Sequence, residues 1–331
     1  MTRRTRKIAL EEHFMPRGFQ NYSKTFTKLM GDAAQTELAS KLEDFDRLRI
    51  ADMDNAGIDV CVLSPTAPGV QAEPDAKLAA ERASEANNFL ADQISRNPAR
   101  FAGFASLAMH DPKVAARELE RSVGRLGLKG ALVNGHTLGT YYDQPNYDAF
   151  WETMQALDVP LYLHPIDHWQ VPVAYADRPE LAGAVWGWGV ETASHALRLL
   201  FSGVFDRFPN VKIILGHMGE GLPMLLWRFD SRFAVYSQGV KLQRRPSEYF
   251  GRNIVITTSG VCSHAALACS LAELGDDAVM FSVDYPYESS AVAADFIESA
   301  PLSDEVRQRV CFDNAARLLK IDTTQKQAKF A

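Results

Sequence analysis

This sequence has few cysteines and no net positive charge. Only four of the 331 residues are cysteine, and their spacing matches neither a zinc motif nor a disulfide-exchange motif. Lysine and arginine number 35 against 41 aspartates and glutamates, so the formal net charge of −6 offers no basic surface for nucleic acid. We therefore expect buried free thiols in a reducing cytoplasm and no nucleic-acid partner.

Long apolar runs and nucleotide-binding glycine motifs are also missing. No uninterrupted apolar run approaches the roughly 20 residues that a membrane-spanning helix needs. No Gly-x-Gly-x-x-Gly turn follows an early predicted strand, which argues against a dinucleotide-binding domain. These absences predict a protein that has no membrane partner and no organic cofactor.

What the sequence does contain is a series of short apolar, β-branched runs separated by longer amphipathic stretches. The eight runs are residues 7–12, 59–64, 101–107, 130–133, 160–164, 211–215, 254–257 and 278–283. Continuous runs are typical of parallel strands buried on both faces, and the intervening helices return the chain to the next strand. The pattern predicts an α/β protein, a single (β/α)8 barrel over residues 1–331, with loop insertions at residues 15–42 and 165–189 at its C-terminal face.

Carboxylate and imidazole side chains stand at the ends of four of these predicted strands. Glu11 and His13 close the first strand and His164 the fifth, while His217 closes the sixth and Asp284 the eighth. Because the strands of a barrel point their carboxyl ends at one mouth, these side chains are expected to converge. Each alone could be structural, such as a hydrogen-bonded core histidine. Together, carboxylates and imidazoles at one mouth indicate a divalent-metal enzyme.

At these residues the chain resembles the amidohydrolase superfamily, and within it the decarboxylase branch that includes γ-resorcylate, 2,3-dihydroxybenzoate and 5-carboxyvanillate decarboxylases. The resemblance covers nearly the whole chain. It is carried by motifs such as Glu11-Glu12-His13-Phe14, Leu163-His164-Pro165, Gly216-His217-Met218-Gly219-Glu220, Trp227-Arg228-Phe229-Asp230 and Asp284-Tyr285-Pro286-Tyr287-Glu288.

The resemblance implies one Mn²⁺ or Zn²⁺ ion per subunit, with His217 beside it. The implied metal ligands are Glu11, His13, His164 and Asp284. Hydrolytic members with two metals commonly bridge them with a carboxylated lysine at the end of strand four. That strand here ends in Leu132-Val133-Asn134, so a second metal is not expected.

Decarboxylation of an aromatic acid needs a proton donor for the ring carbon that bears the carboxylate. We expect Asp284 to be this acid, because a carboxyl beside the metal can carry the proton released on substrate binding. A phenol oxygen ortho to the carboxylate can share the metal with it and so fix the ring. His217 and Glu220, three residues apart, are expected to form a pair in which the carboxylate orients the imidazole. The alternative is that Glu220 only caps a helix.

Five further side chains are candidates for contact with a small aromatic carboxylate. Arg228 resembles the family's substrate-side arginine, and Arg49 resembles one in the carboxyvanillate branch. Both could equally be surface arginines on helices. Phe14, His168 and Tyr287 could frame a flat ring, although aromatic residues more often fill core space.

The function predicted is reversible decarboxylation of an ortho-hydroxybenzoate, with the ring substituents left open. A hydrolase of a lactone or amide would use the same ligands with His217 as its base. A non-catalytic barrel that only binds a ligand is the second alternative. The apolar Trp186-Gly187-Trp188 stretch predicts a homodimer or homotetramer, because it is too hydrophobic to leave exposed.

Overall fold

The computed structural model describes residues 4–20, 22 and 31–322. Part of the predicted insertion at 15–42, namely residues 21 and 23–30, lies outside the described residues. All eight predicted strands are present, and the third is divided in two by Phe104. The strands are β1 (Ile8–Phe14), β2 (Val60–Pro65), β3 (Phe101–Gly103), β4 (Ala105–Ser106), β5 (Ala131–Asn134), β6 (Leu161–His164), β7 (Ile213–Leu215), β8 (Ile254–Thr257) and β9 (Val279–Met280).

Neighbouring strands pair in chain order and in parallel. One sheet has the order β1-β2-β3 and the other the order β4 to β9. At the break, the backbone N–H of Phe104 donates to Leu63 and that of Ala105 to Gly130, each at 2.9 Å. At the other end, the His13 N–H donates to the Tyr285 carbonyl at 2.7 Å. These bonds bring the ends of the series together, as the predicted barrel requires.

Helices occupy the connections between strands. The longer ones are Asp32–Glu43, Leu48–Ala56, Ala76–Arg96, Pro112–Gly124, Asp148–Leu157, Gly187–Phe201, Leu226–Tyr236, His264–Leu274 and Ser290–Ser299, and shorter ones are Val204–Arg207, His217–Glu220, Asp304–Gln308 and Asn314–Leu318. Two of them begin at an aspartate: the Asp75 and Asp111 side chains each accept two backbone N–H groups at a helix start. None of the helices in the described ranges has the length and apolar character needed to cross a membrane.

Alternate residues of the strands separate into two buried layers. One layer fills the barrel interior and includes Ile8, Leu10, Val60, Val62, Phe104, Leu132, Tyr162, Ile214, Val255 and Met280. The other packs between strands and helices and includes Ala9, Cys61, Leu63, Val133, Leu163, Leu215, Ile256 and Phe281. This period of two follows from strand geometry, and it decides which side chains can reach the mouth.

A β-bulge interrupts the alternation in β1. Ala9 pairs with Cys61, but the next paired residue, Glu12, is opposite Leu63, so β1 contains one extra residue. The backbone N–H groups at the bulge, on Leu10 and Glu11, both donate to the Ser282 hydroxyl oxygen, at 3.2 and 2.7 Å. Bulges re-aim side chains next to active sites, and this one turns Glu11 inward directly after the inward-facing Leu10.

The four cysteines are free, but they do not share one environment. Cys61 and Cys311 are buried, Cys269 is partly buried and Cys262 is exposed. The expectation of four buried thiols is therefore wrong for Cys262, which lies in the loop that precedes helix His264–Leu274.

Candidate metal centre

Four side chains from three separate parts of the chain meet at the C-terminal mouth. Glu11, His13, His164 and Asp284 each offer one ligand atom, and these atoms all lie within 4.8 Å of one another. His13 Nε2 is 3.1 Å from Asp284 Oδ1, and His164 Nε2 is 3.3 Å from Glu11 Oε1. The His13 and His164 rings meet edge to face with their centroids 4.6 Å apart. This is the set of residues that the sequence analysis expected to hold a metal.

The ligand atoms have the surroundings that a cation requires. Glu11 Oε1, His13 Nε2 and Asp284 Oδ1 are buried and have no hydrogen-bond partner among the described residues. Leaving such atoms unpaired costs about 1–3 kcal/mol each, more for charged groups. Two ligands that are each about 2.1 Å from one ion lie roughly 3.0–3.4 Å apart at ordinary coordination angles. The observed distances of 3.1 and 3.3 Å fit Mn²⁺ or Zn²⁺ at this point.

His164 is prepared to act as a ligand. Its Nδ1 is 2.9 Å from the carbonyl oxygen of Pro165, which requires the proton to be on Nδ1 and leaves the Nε2 lone pair toward Glu11 and His13. Burial lowers the pKa of His164 well below its ordinary value, and the nearby His13 lowers it further. The imidazole is therefore neutral, which is the form that binds metal.

His217 and Glu220 form the expected pair beside this cluster. His217 Nδ1 is 2.9 Å from Glu220 Oε1, while His217 Nε2 is 3.4 Å from Asp284 Oδ2 and 4.0 Å from Glu11 Oε1. The pair is brought together by a left-handed turn: φ is positive from residue 217 through 221. Non-glycine residues rarely adopt this conformation, so its occurrence at His217 and Glu220 marks a site where position outweighs backbone preference.

Charge decides where a proton between His217 and Asp284 resides. Burial acts to lower the pKa of His217, but the charges of Glu11 and Glu220 outweigh it, and that pKa is raised well above its ordinary value. For Asp284, burial acts to raise the pKa, whereas the nearby His13 and His217 imidazoles outweigh burial and lower it. The proton therefore rests on His217, and the ionised Asp284 is its adjacent acceptor.

Three hydroxyl groups beneath the cluster were not anticipated from the sequence. Tyr162 and Ser259 both donate to Glu11 Oε2, the former at 2.5 Å, and Thr257 Oγ1 lies 2.8 Å from the Tyr162 oxygen. A usable signal was present: Tyr162 stands two residues before His164 on the same strand. Side chains two apart share a face, so Tyr162 had to lie directly below the mouth.

The expectation that Phe14 contacts substrate is wrong. Phe14 is fully buried on the helix side of β1, where its ring packs against Phe45 and Phe89 with centroids 5.4 and 6.0 Å away. The reason is strand alternation, because Phe14 directly follows the inward-facing His13.

Two of the other substrate candidates lie close to the mouth. The Tyr287 ring centroid is 5.8 Å from that of His13, its hydroxyl is 2.5 Å from Thr66 Oγ1, and 46% of the residue is exposed. His168 Nδ1 is 2.6 Å from Glu191 Oε2 and its Nε2 is 3.3 Å from the Tyr175 hydroxyl, so both ring nitrogens have protein partners. Substrate contact stays a prediction for both.

The two arginines differ in their surroundings. Arg49 is buried, and its Nη2 donates to the His13 carbonyl at 2.6 Å while its guanidinium lies 4.6 Å from the Tyr285 ring centroid. Through these contacts Arg49 stabilises the end of β1 at the His13 carbonyl. Arg228 is exposed on helix Leu226–Tyr236. A role in substrate binding stays a prediction for each.

The fold and the ligand set together define a metal-dependent barrel enzyme. The chain belongs to the amidohydrolase family, whose family model matches residues 13–321. It is 45% identical over 325 residues to a γ-resorcylate decarboxylase of Polaromonas sp. JS666, covering 96% of this chain and 99% of that protein. A γ-resorcylate decarboxylase of Rhodococcus jostii RHA1 is 42% identical, and the match covers 96% of this chain and 99% of that protein.

Solved structures agree with these relatives. A dihydroxybenzoic acid decarboxylase of Polaromonas sp. JS666, with bound manganese and the inhibitor 2-nitroresorcinol, superimposes with a TM-score of 0.90 at 44% identity and covers 96% of this chain and 97% of its own. A 5-carboxyvanillate decarboxylase of Sphingomonas paucimobilis superimposes with a TM-score of 0.89 at 40% identity and covers 96% of this chain and 100% of its own. These comparisons confirm the predicted family, the barrel fold, the carboxy-lyase class and a divalent metal as cofactor.

Proposed function

We propose that this protein is a Mn²⁺-dependent, non-oxidative decarboxylase whose preferred substrate is 2,6-dihydroxybenzoate. The observation that carries the proposal is the juxtaposition of unpartnered ligand atoms on Glu11, His13 and Asp284 with the His217–Glu220 pair. The choice of substrate is supported by relatives of 42–45% identity that are γ-resorcylate decarboxylases, and by a 40% identical structure of a 2,6-dihydroxybenzoate decarboxylase complexed with that acid.

The residues of the site have distinct tasks in this reaction. A bound Mn²⁺ would orient the carboxylate and an adjacent phenol oxygen of the substrate and stabilise negative charge on them. Asp284, which rests ionised beside the protonated His217, takes up a proton before it delivers one to the ring carbon that carries the carboxylate, and this makes that carbon tetrahedral. The bond to the carboxylate then breaks, its electron pair returns to the ring, and CO₂ leaves. His217, whose Nε2 is 3.4 Å from Asp284 Oδ2, returns a proton to Asp284.

The decisive experiment is a product assay in deuterium oxide. The Mn²⁺-loaded protein is incubated with a panel of hydroxybenzoates, and CO₂ and deuterium at the former carboxyl carbon are measured. We expect 2,6-dihydroxybenzoate to release CO₂ and to give resorcinol that carries one deuterium at that carbon. Hydrolysis of lactones or amides without any CO₂ would favour the hydrolase alternative. Turnover of neither group, despite bound metal, would favour the binding-protein alternative.

We further propose that the protein works as a homodimer or homotetramer in the cytoplasm. The insertion at residues 165–189 exposes several apolar side chains that water would disfavour, including Trp169 at 57%, Val173 at 92%, Val185 at 76% and Trp186 at 57%. The four free cysteines suit a reducing compartment. Light scattering after size-exclusion chromatography tests the assembly, and a monomer at micromolar concentration would contradict it.

A further inference from the structure

The two oxygens of the Glu11 carboxylate have opposite surroundings. Oε1 faces His164 Nε2 at 3.3 Å and has no hydrogen-bond partner among the described residues. Oε2 points away from the ligand cluster and accepts from two hydroxyl groups, those of Tyr162 and Ser259. Glu11, Tyr162 and Ser259 are all fully buried, so water does not compete for these bonds.

The proton positions in this network follow from simple counting. Tyr162 and Ser259 each have one hydroxyl proton, and both protons are directed at Glu11 Oε2. Thr257 Oγ1 lies 2.8 Å from the Tyr162 oxygen and 3.1 Å from the Ser259 oxygen. Because the protons of Tyr162 and Ser259 are directed at Glu11, the single Thr257 proton is donated to one of these two oxygens. A hydroxyl that accepts a hydrogen bond is a stronger donor, so Thr257 reinforces a donor that holds Glu11 in either case.

Ser259 connects the same network to the catalytic pair. Its oxygen accepts the backbone N–H of His217 at 3.0 Å while its proton goes to Glu11. A single hydroxyl therefore sets both the rotation of a metal-ligating carboxylate and the start of the left-handed turn that carries His217.

We propose that Tyr162 and Ser259 are positioning residues that hold Glu11 as a one-oxygen metal ligand, with Thr257 as their support. Saturation of Oε2 by two donors leaves only Oε1 for the ion, which fixes the carboxylate rotation before metal arrives. The role is separate from proton transfer, because both hydroxyl protons are directed at Glu11. The inference rests on the metal site of the proposed function.

The test measures metal affinity, which is independent of turnover. The protein is stripped with a chelator, and Mn²⁺ affinity is determined by competition with a metal-binding dye. We expect Tyr162→Phe and Ser259→Ala each to weaken Mn²⁺ binding by roughly 10–100-fold, the usual effect of losing a group that orients a ligand. Thr257→Val leaves both donors in place and should weaken binding by less than either. A tenfold loss removes about 1.4 kcal/mol of the stabilisation that saturating Mn²⁺ gives in thermal unfolding.

Tyr147→Phe is the matched control. Tyr147 is also buried and its hydroxyl also donates one hydrogen bond, to the Met109 carbonyl at 2.8 Å, but it lies outside the metal network. Its Mn²⁺ affinity should remain within threefold of that of the unchanged protein. If Tyr162→Phe and Ser259→Ala both bound Mn²⁺ as tightly as the unchanged protein, the inference would be refuted and the proposed function would remain intact. Failure of both to fold while Tyr147→Phe folds would also refute it, because the hydroxyls would then serve the core. Absence of Mn²⁺ binding by the unchanged protein would instead overturn the proposed function.

Discussion

Replacement of Gly216 by alanine should damage the metal site through a single added methyl group. Gly216 has φ of −70° and ψ of −170°, which any residue can adopt, so the substitution introduces no backbone strain. A Cβ at this position would lie 2.5 Å from Glu11 Oε2 and 2.9 Å from Ser259 Oγ. The glycine is therefore required by the space that the carboxylate occupies.

The size of the effect follows from these distances. An ordinary van der Waals contact begins near 3.4 Å, so the carboxylate oxygen would have to move by roughly 0.9 Å. Sideways movement is restricted, because Tyr162 and Ser259 both hold that oxygen. A misplacement of about 1 Å can cost on the order of a hundredfold in rate, and overpacking costs about 1–3 kcal/mol of stability. We expect Mn²⁺ affinity to fall by about 10–100-fold, in line with loss of ligand orientation.

Titration with Mn²⁺ and chemical unfolding of the metal-free protein measure the two effects separately. Gly124→Ala is the control, because Gly124 ends helix Pro112–Gly124, its φ is not positive and an added Cβ would meet nothing within 4 Å. That variant should bind Mn²⁺ normally and gain up to about 1 kcal/mol of stability from helix propensity. Equal Mn²⁺ affinities in Gly216→Ala and Gly124→Ala would show that the Glu11 position does not limit metal binding, and the reasoning would be wrong.

Three other predictions test neighbouring parts of the site. His164→Ala should lose bound metal, whereas His217→Ala should keep it and lose roughly 10²–10⁴-fold in turnover, as for a proton-transfer group; equal metal loss in both, by metal analysis, would make His217 a ligand. Ser282→Ala removes the acceptor for two bulge amides and should lower the free energy of unfolding by roughly 2–4 kcal/mol; urea unfolding indistinguishable from the unchanged protein would contradict this. 4-Hydroxybenzoate should be nearly inert while a 2-hydroxybenzoate reacts, and equal CO₂ release from both would disprove chelation through the ortho oxygen.

The sequence was sufficient for the barrel and for the metal ligands because both depend on strand ends. Continuous apolar runs locate buried parallel strands, and the polar residue that ends such a run must lie at the mouth. His164 and Asp284 could be placed at the mouth in this way, and the family resemblance implied that they are metal ligands. The His217–Glu220 pair was also accessible, since the two residues are close in sequence. The predictions from sequence were correct where a local sequence pattern alone determines where a side chain lies.

They failed where a side chain depends on elements distant in sequence. Phe14 was expected at the substrate because its ring could frame a flat molecule, yet the bulge in β1, bonded to the distant Ser282, leaves it on the helix side. The role of Tyr162 and Ser259 follows only from Glu11 Oε2, to which both donate, and that of Thr257 from its contact with the Tyr162 oxygen. Strand alternation could have placed Tyr162 below the mouth, but no pattern within β1, β6 or the end of β8 indicates that these side chains bond to one another.

The bulge in β1 is the feature on which the site depends most directly. Ile8 and Leu10 face the barrel interior, so an uninterrupted strand would send Glu12 and Phe14 to the mouth and turn Glu11 toward the helices. The extra residue reverses this order after Leu10. Ser282, two residues before Asp284, accepts both bulge amides. The segment that supplies the ligand Asp284 thus also stabilises the irregularity that directs Glu11 inward, so the metal site could not be assembled from regular strands carrying the same side chains.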